Sequence, residues 1–576
     1  MISCRRLSGV DLASSEWFDC GELFGHGFFQ RWIFLLTLVS LCALHCHTLV
    51  FRLISGDVDH WCKRPDIPGL SAATWRNVAI PLEADGHRSH CTVYAHPHDA
   101  NDTQVVLCYR WDYDPDGVRR SIVSHWDLVC DRRMLKNLAQ AVYFAGSLVF
   151  MSSVGYVADY VGRMPVIFSA VVVLVMATLG GCSARTYATY LVSRFLNSGC
   201  ATTVAVLSCT LLFEVSTHKN RSMHVSIAVM AGLMIAELWF ALARLLRLAD
   251  WVLQQIFMLS PTALTLFAFS AVHESPRWYV AHKDMLRAEI VVISAAKENH
   301  FSLDTTSCTL NKLKAEVARN EARLQVDRDA NVAETRRLQR CAFIMFGSYF
   351  SAVFTTFTIV QLESSVSSTA GAWYDGASNA SNTVAFALLY MASTAFRGAP
   401  ARRLLVGALA VLCVAVCVTS VSYATAHVWL VELSFLASKS LAYMVNVLVL
   451  ASSLDVCPTA VRCTTLCLAF GCGRVGAVCA TLLSALRRSR REDLVFALAG
   501  LVVFAALLAQ LLLPLPANQQ TQPQAFAPIP KGTDYMKQTL DSLVPQRKHQ
   551  RKPTGSQRKT ANPGVVESQQ LGFQAW

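Results

Sequence analysis

Three ionisable side chains stand inside stretches that otherwise carry almost no charge. They are Glu237 in Ala236-Glu237-Leu238-Trp239, Lys439 in Ser438-Lys439-Ser440, and Arg474 in Gly473-Arg474-Val475-Gly476. In hydrocarbon such a group costs about 2.5–3.5 kcal/mol on insertion scales, so it faces a cavity or a partner. Fixed cations at low dielectric attract a carboxylate or a sulfate, which makes Arg474 and Lys439 candidates for binding an organic anion. Lys439 also has a structural reading, as the partner of Glu432 or of another helix. Glu237 reads first as the internal partner of Lys439 or Arg474, because unpaired buried charge is the costliest arrangement. Its other reading is a cation or proton site. His45 and His47 share a further apolar stretch and titrate near neutral pH when unperturbed, although packed, hydrogen-bonded histidines are commoner. Tyr349, Phe350, Phe354 and Phe357 form an aromatic stripe. It suits either the wall of an organic-ion cavity or helix packing.

The elements that position these residues are apolar runs. The 576 residues are 53% hydrophobic and 16% charged, against about 45–50% and about 25% in soluble domains. That composition excludes an ordinary soluble enzyme and a disordered chain. The net charge of +12 lies between the apolar runs, which fits loops following the positive-inside bias better than a nucleic-acid surface. A helix needs about 20 apolar residues to cross the hydrocarbon core. Twelve runs qualify: Trp32–Phe51, Leu138–Tyr160, Pro165–Cys182, Tyr187–Phe213, Met223–Ala243, Trp251–Val272, Cys341–Gln361, Thr383–Phe396, Leu404–Ala424, His427–Leu450, Thr464–Leu486 and Leu494–Pro514. The eighth is short and is expected to begin several residues earlier.

Two long loops divide the chain. The expected organisation is a cytoplasmic segment 1–31, a first six-helix bundle 32–272 with an extracellular loop 52–137, and a cytoplasmic linker 273–340. A second bundle 341–514 and a disordered cytoplasmic tail 515–576 follow. Lys and Arg in 273–340, with Arg163, Arg397, Arg402 and Arg403, set the cytoplasmic side; Arg487, Arg488, Arg490 and Arg491 fall on the other. The outer loop holds Cys62, Cys91, Cys108 and Cys130, an even number that predicts two disulfides with three connectivities open. Asn101-Asp102-Thr103 in the same loop is a glycosylation sequon. No P-loop, HExxH or plausible GxSxG occurs, so no enzyme activity and no cofactor are expected.

The turn after the second run reads Gly155-Tyr-Val-Ala-Asp159-Tyr-Val-Gly162-Arg163. Its glycines allow a tight turn and close helix approach, and its charges can cap helix ends and latch one face. This GxxxDxxGR pattern resembles the signature loop of the major facilitator superfamily. Further stretches resemble the solute carrier family 22 organic-ion transporters. They are Gly21-Glu22-Leu-Phe24-Gly25 with Gln30, Cys108-Tyr-Arg-Trp111-Asp-Tyr113-Asp114, Trp126-Asp127-Leu128-Val129-Cys130-Asp131, Glu274-Ser275-Pro276-Arg277-Trp278, and Asp455-Val-Cys-Pro458-Thr459-Ala-Val-Arg462. The likeness runs from about residue 15 to about residue 514.

The resemblance implies two six-helix bundles that rock around a central cavity in the plasma membrane, and a small organic ion as substrate. A cation at the Arg474 position is typical of the family's anion-handling branch. Glu214 is implied to join Asp159, Arg163, Arg194 and Arg277 in a cytoplasmic charge cluster, with Glu274, Asp455 and Arg462 in the neighbouring gating motifs. The chain departs from the family pattern at Met164, at Arg397-Gly398-Ala-Pro400-Ala-Arg402-Arg403, at Asp455 (usually Glu), at Thr355-Thr356-Phe357 and at Leu513-Pro514-Leu515-Pro516. Two alternatives to an anion transporter stay open, the first of them motivated by these departures. One is a binding or receptor protein that keeps the fold; the other is a cation or zwitterion carrier using Glu237.

Overall fold

A computed structural model describes residues 19–512, apart from 57, 65–71, 84–87, 96–103, 114–119, 247, 249, 270–271, 327, 371, 396–400, 426 and 486–491. The expected glycan site Asn101, the tail 515–576, Arg397 and the Arg487–Arg491 cluster lie outside the described residues.

The first half contains α1 (Cys20–Phe24), α2 (Phe28–Ile54), α3 (Ala72–Val78), α4 (Ile122–His125), α5 (Arg133–Val161), α6 (Arg163–Cys182), α7 (Tyr187–Val215), α8 (Arg221–Leu245), α9 (Trp251–Leu259) and α10 (Pro261–Phe269). Helices α11 (Pro276–Ala281), α12 (Met285–Glu298) and α13 (Leu303–Val326) connect it to the second half. That half holds α14 (Arg328–Ala370), α15 (Ala372–Ala395), α16 (Ala401–Thr425), α17 (Val428–Val456), α18 (Arg462–Ala485) and α19 (Glu492–Leu512). Among the described residues, ten helices are long and apolar enough to cross a membrane. The broken pair α9–α10 and the more polar α15 take the two remaining places, giving two bundles of six.

The break in the sixth element follows from Pro261, which has no N–H and cannot sit against the carbonyl four residues back. That carbonyl belongs to Phe257. It accepts instead from Ser260 Oγ at 2.7 Å and from Trp239 Nε1 at 3.0 Å. The Trp239 indole stacks on the Phe257 ring at 4.7 Å, tying α8 to the break. In the first half, α7 is buried on every face from Asn197 to Val215. Small residues permit this; a Cβ at Gly199 would meet the Phe150 ring at 2.4 Å.

The loop between α2 and α5 is a small β domain. Strand β1 (His60–Cys62) pairs antiparallel with β4 (Trp111–Tyr113), and β2 (Thr92–Tyr94) with β3 (Val105–Leu107). Of the three connectivities, the structure has Cys62–Cys108 and Cys91–Cys130. The domain rests on the bundle through Trp126, whose ring meets Tyr190 at 5.1 Å and Trp251 at 5.2 Å. This side of the bundle is the loop end below; the opposite side, with Asp159 and Arg462, is the latch end.

Candidate functional site

At the latch end, acidic side chains cap helices to which they are not joined in sequence. A helix N-terminus leaves backbone N–H groups without partners and carries a partial positive charge, so a carboxylate there is doubly favoured. The Asp159 carboxylate, at the end of α5, accepts from Cys463 N at 3.2 Å and from Thr464 N and Oγ1, both at 2.8 Å. It therefore caps α18 of the other half. Glu274 does the same for α6, accepting from Met164 N at 2.8 Å. Burial pushes the Glu274 carboxyl up, against the opposing pull of Arg163 and two backbone N–H groups.

Glycines make the approach close enough. A Cβ at Gly155 would lie 2.5 Å from Cys463 O and 2.8 Å from Thr464 Cα. Gly162 has φ +116°, a conformation that favours glycine, and its Cβ would meet Glu274 Oε2 at 2.7 Å. The spacing Gly155, Asp159, Gly162, Arg163 thus encodes one packed corner.

Glu214, at the end of α7, lies between two arginines. Its Oε1 is 3.2 Å from Arg163 Nη2 and 2.8 Å from Arg462 Nη1, and all three side chains are fully buried. Arg163 also contacts Asp159 at 3.3 Å and donates to Thr459 O at 2.8 Å. A second bridge between the halves joins Arg221 of α8 to Asp455 of α17 at 2.9 Å, with Ser222 Oγ on the same carboxylate at 2.8 Å. The shorter Asp at 455 reaches its partner. Buried Arg277 lies within electrostatic reach of Glu214.

Arg194 does not belong to this cluster. It is on α7, twenty residues before Glu214, or about 30 Å along the helix at 1.5 Å per residue. There its guanidinium donates to His47 O at 3.2 Å and Gln140 Oε1 at 3.3 Å, and lies over the Tyr143 ring at 4.3 Å. His47 Nε2 is 3.0 Å from Thr262 Oγ1.

From the latch, α5 and α18 run side by side. Gly155 faces Cys463 and Thr464, and Gly471 faces Leu148 and Met151. Arg474 follows on the same seam, about 16 Å above Cys463. It is half-buried, within electrostatic reach of Tyr143 of α5 and His45 of α2, and its Nε has no partner. Among the described residues Arg474 makes no ion pair. The buried Nε2 of His45 is also without a partner.

The aromatic stripe divides. Tyr349 is buried against Phe470 at 5.1 Å. Phe350 and Phe354 stack on each other at 5.9 Å, and their backbone lies where a Cβ at Gly476 would clash. The ring contacts of these three lie within the second half. Phe357 alone crosses the junction, meeting Phe144 of α5 edge-on at 5.2 Å.

Lys439 pairs with neither Glu432 nor Glu237. Its Nζ is 2.8 Å from Glu363 Oε1 of α14, with Ser378 Oγ at 2.6 Å and Ser378 O at 3.3 Å. Glu363 lies two residues past the apolar run Cys341–Gln361, so a helix read slightly longer would have placed an acid within reach of Lys439. Glu237 pairs with no cation among the described residues. It accepts a hydrogen bond from Asn382 Nδ2 of α15, across the junction. Nothing in the sequence alone marks Asn382.

The chain is 26% identical over 314 residues to the beta-alanine transporter of Drosophila melanogaster, covering 48% of this chain and 51% of the relative. It is 28% identical over 295 residues to human solute carrier family 22 member 13, covering 49% and 52%. The chain spans about half the length of these relatives. Among solved structures, the proton:xylose symporter XylE bound to 6-bromo-6-deoxy-D-glucose superposes with TM-score 0.58 at 15% identity, over 84% of this chain and 97% of that one. A partially occluded inward-open form of XylE from E. coli gives 0.54 at 13% identity, over 85% and 99%. At these identities the likeness is one of fold. The family description Major Facilitator Superfamily matches residues 133–481, more than half of the sequence. This chain, a multi-pass membrane protein, belongs to the Major Facilitator Superfamily.

Proposed function

We propose that the chain moves small organic ions, organic anions foremost, across the plasma membrane by alternating access, as a uniporter or an exchanger. The latch end and both termini then face the cytoplasm. The observation that carries this reading is Arg474, a guanidinium on the seam between the halves that makes no ion pair among the described residues. Half-buried and without a counter-charge there, it favours an anionic group that enters from the loop end. Phe357 and Phe144 border the same junction and suit the apolar part of an organic ion. Asp159, Arg163, Glu214, Arg221, Asp455 and Arg462 act as the gate, since their contacts between halves must break when the latch end opens.

A second reading has its own support. Glu237 offers a carboxylate at the junction as Arg474 offers a cation, and the relative named for beta-alanine carries a zwitterion in its name. Uptake of labelled anions, cations and zwitterions in expressing cells separates the readings, with surface expression verified. Replacing Arg474 by Asp is expected to lower anion uptake about 10–100-fold, the equivalent of one charge-assisted contact. Equal anion uptake by Arg474→Asp and wild type would sink the charge-selection claim. Saturable uptake of none of the panel would favour a binding or receptor protein.

A further inference from the structure

We propose that Glu237 and Asn382, backed by the Glu363–Lys439 pair, form a binding site for a monovalent cation, a proton or a sodium ion, at the junction of the two halves. Two carboxylates, Glu237 and Glu363, share the site with one ammonium, Lys439. That ammonium is already committed, its donors being directed at Glu363 Oε1, Ser378 Oγ and Ser378 O. Ser378 Oγ contacts the Glu363 carboxylate as well.

The charged and titratable groups facing Glu237 are Arg52 from α2, Glu363 from α14, and Lys439 and Tyr443 from α17. Of these Arg52 is exposed, so water screens it, and none forms an ion pair with Glu237. Two carboxylates competing for one cation cannot both stay charged at low cost. A bound proton or a small cation removes the excess.

Asn382 gives independent support. It is 1% exposed, its amide nitrogen points at Glu237, and its Oδ1 has no partner. A buried amide oxygen without a donor is uncommon. The same amide serves both states of the site. It presents N–H to an ionised carboxylate and, turned over, C=O to a protonated one or to a bare cation, for which oxygen donors are the natural ligands. The carboxylate belongs to α8 and the amide to α15, so parting of the halves dismantles the site. Occupancy and conformation are thereby linked. Use of this linkage to drive transport rests on the alternating-access reading, whereas the binding itself does not.

The test is infrared difference spectroscopy on the full-length protein in lipid. Buffer is exchanged between about pH 8 and about pH 5 in choline, and then from choline to sodium at fixed pH. The proton arm predicts a protonated-carboxyl C=O band that is lost completely in Glu237→Gln and kept in Glu363→Gln. The sodium arm predicts a carboxylate-stretch shift on sodium exchange with the same dependence. Gln keeps an acceptor for Asn382, so the fold is expected to hold. Asn382→Ala, which leaves the carboxylate but removes its donor, should displace whichever signal is seen. Identical spectra for wild type and Glu237→Gln, or a signal unmoved by Asn382→Ala, overturn the proposal. No substrate enters the measurement. A protein that transports nothing can still show the site, and a competent transporter lacking the signal refutes the site alone.

Discussion

Replacing Glu214 by Gln is expected to destabilise the protein by about 3–5 kcal/mol, the usual penalty for breaking a buried ion pair from one side. The carboxylate lies between Arg163 and Arg462, and none of the three side chains has measurable exposure. Gln retains the shape and one acceptor but leaves two guanidiniums facing each other without a neutralising charge. Nearby groups offset little of this. Asp159 reaches Arg163 at 3.3 Å, but its oxygens are already engaged by Cys463 and Thr464. Thermal unfolding of purified protein in detergent, followed by intrinsic fluorescence, reads the effect. A loss under about 1 kcal/mol, the range of exposed pairs, would show that the cluster is far more solvated than its geometry indicates.

A leucine at position 155 is expected to act differently, on conformation more than on folding. The first added carbon would lie 2.5 Å from the Cys463 carbonyl and 2.8 Å from the Thr464 Cα. These are backbone atoms at the start of α18, so relief requires the whole helix to retreat from α5. Overpacking of this kind costs about 1–3 kcal/mol, and here only while the latch end is closed. A penalty confined to one state shifts the equilibrium between states by about 5–150-fold. Gly155→Leu should therefore favour a form open at the latch end with little change in unfolding temperature. The readout is limited trypsin cleavage around Lys219 in right-side-out and inverted vesicles. Faster cleavage from the latch side is the expected result, and an unchanged rate would argue against the seam as drawn.

Much of the fold can be read from the sequence because membrane helices are long and their signal is simple. A run such as Leu404–Ala424 needs no tertiary information, and the structure has α16 there. Reading fails where polar residues enter a helix for tertiary reasons. The run Thr383–Phe396 is too short because α15 begins at Ala372 and carries Ser378 and Asn382, whose partners are Lys439 and Glu237 on other helices. Pro261 divides the sixth element in a way that hydropathy alone does not register. The candidate site shows the same limit. Unpaired Arg474 could be suspected from its apolar neighbours. That Asp159 caps α18, some three hundred residues away in sequence, could not, because a cap is defined by the helix it meets. The family resemblance groups Arg194 with Glu214, although their separation along one helix places them at opposite ends.

In the proposed cycle the two halves move against each other, with the latch contacts holding the closed form. The most direct test of this movement is a distance measured between the halves. Bioorthogonal fluorophores at Lys219 of the first half and Arg403 of the second, both exposed, would report it by single-molecule energy transfer in lipid nanodiscs. Asp159→Ala and Gly155→Leu should each populate a longer distance that wild type visits rarely, and a transported ion should redistribute the two populations. One unchanging distance in wild type and both variants would contradict the account.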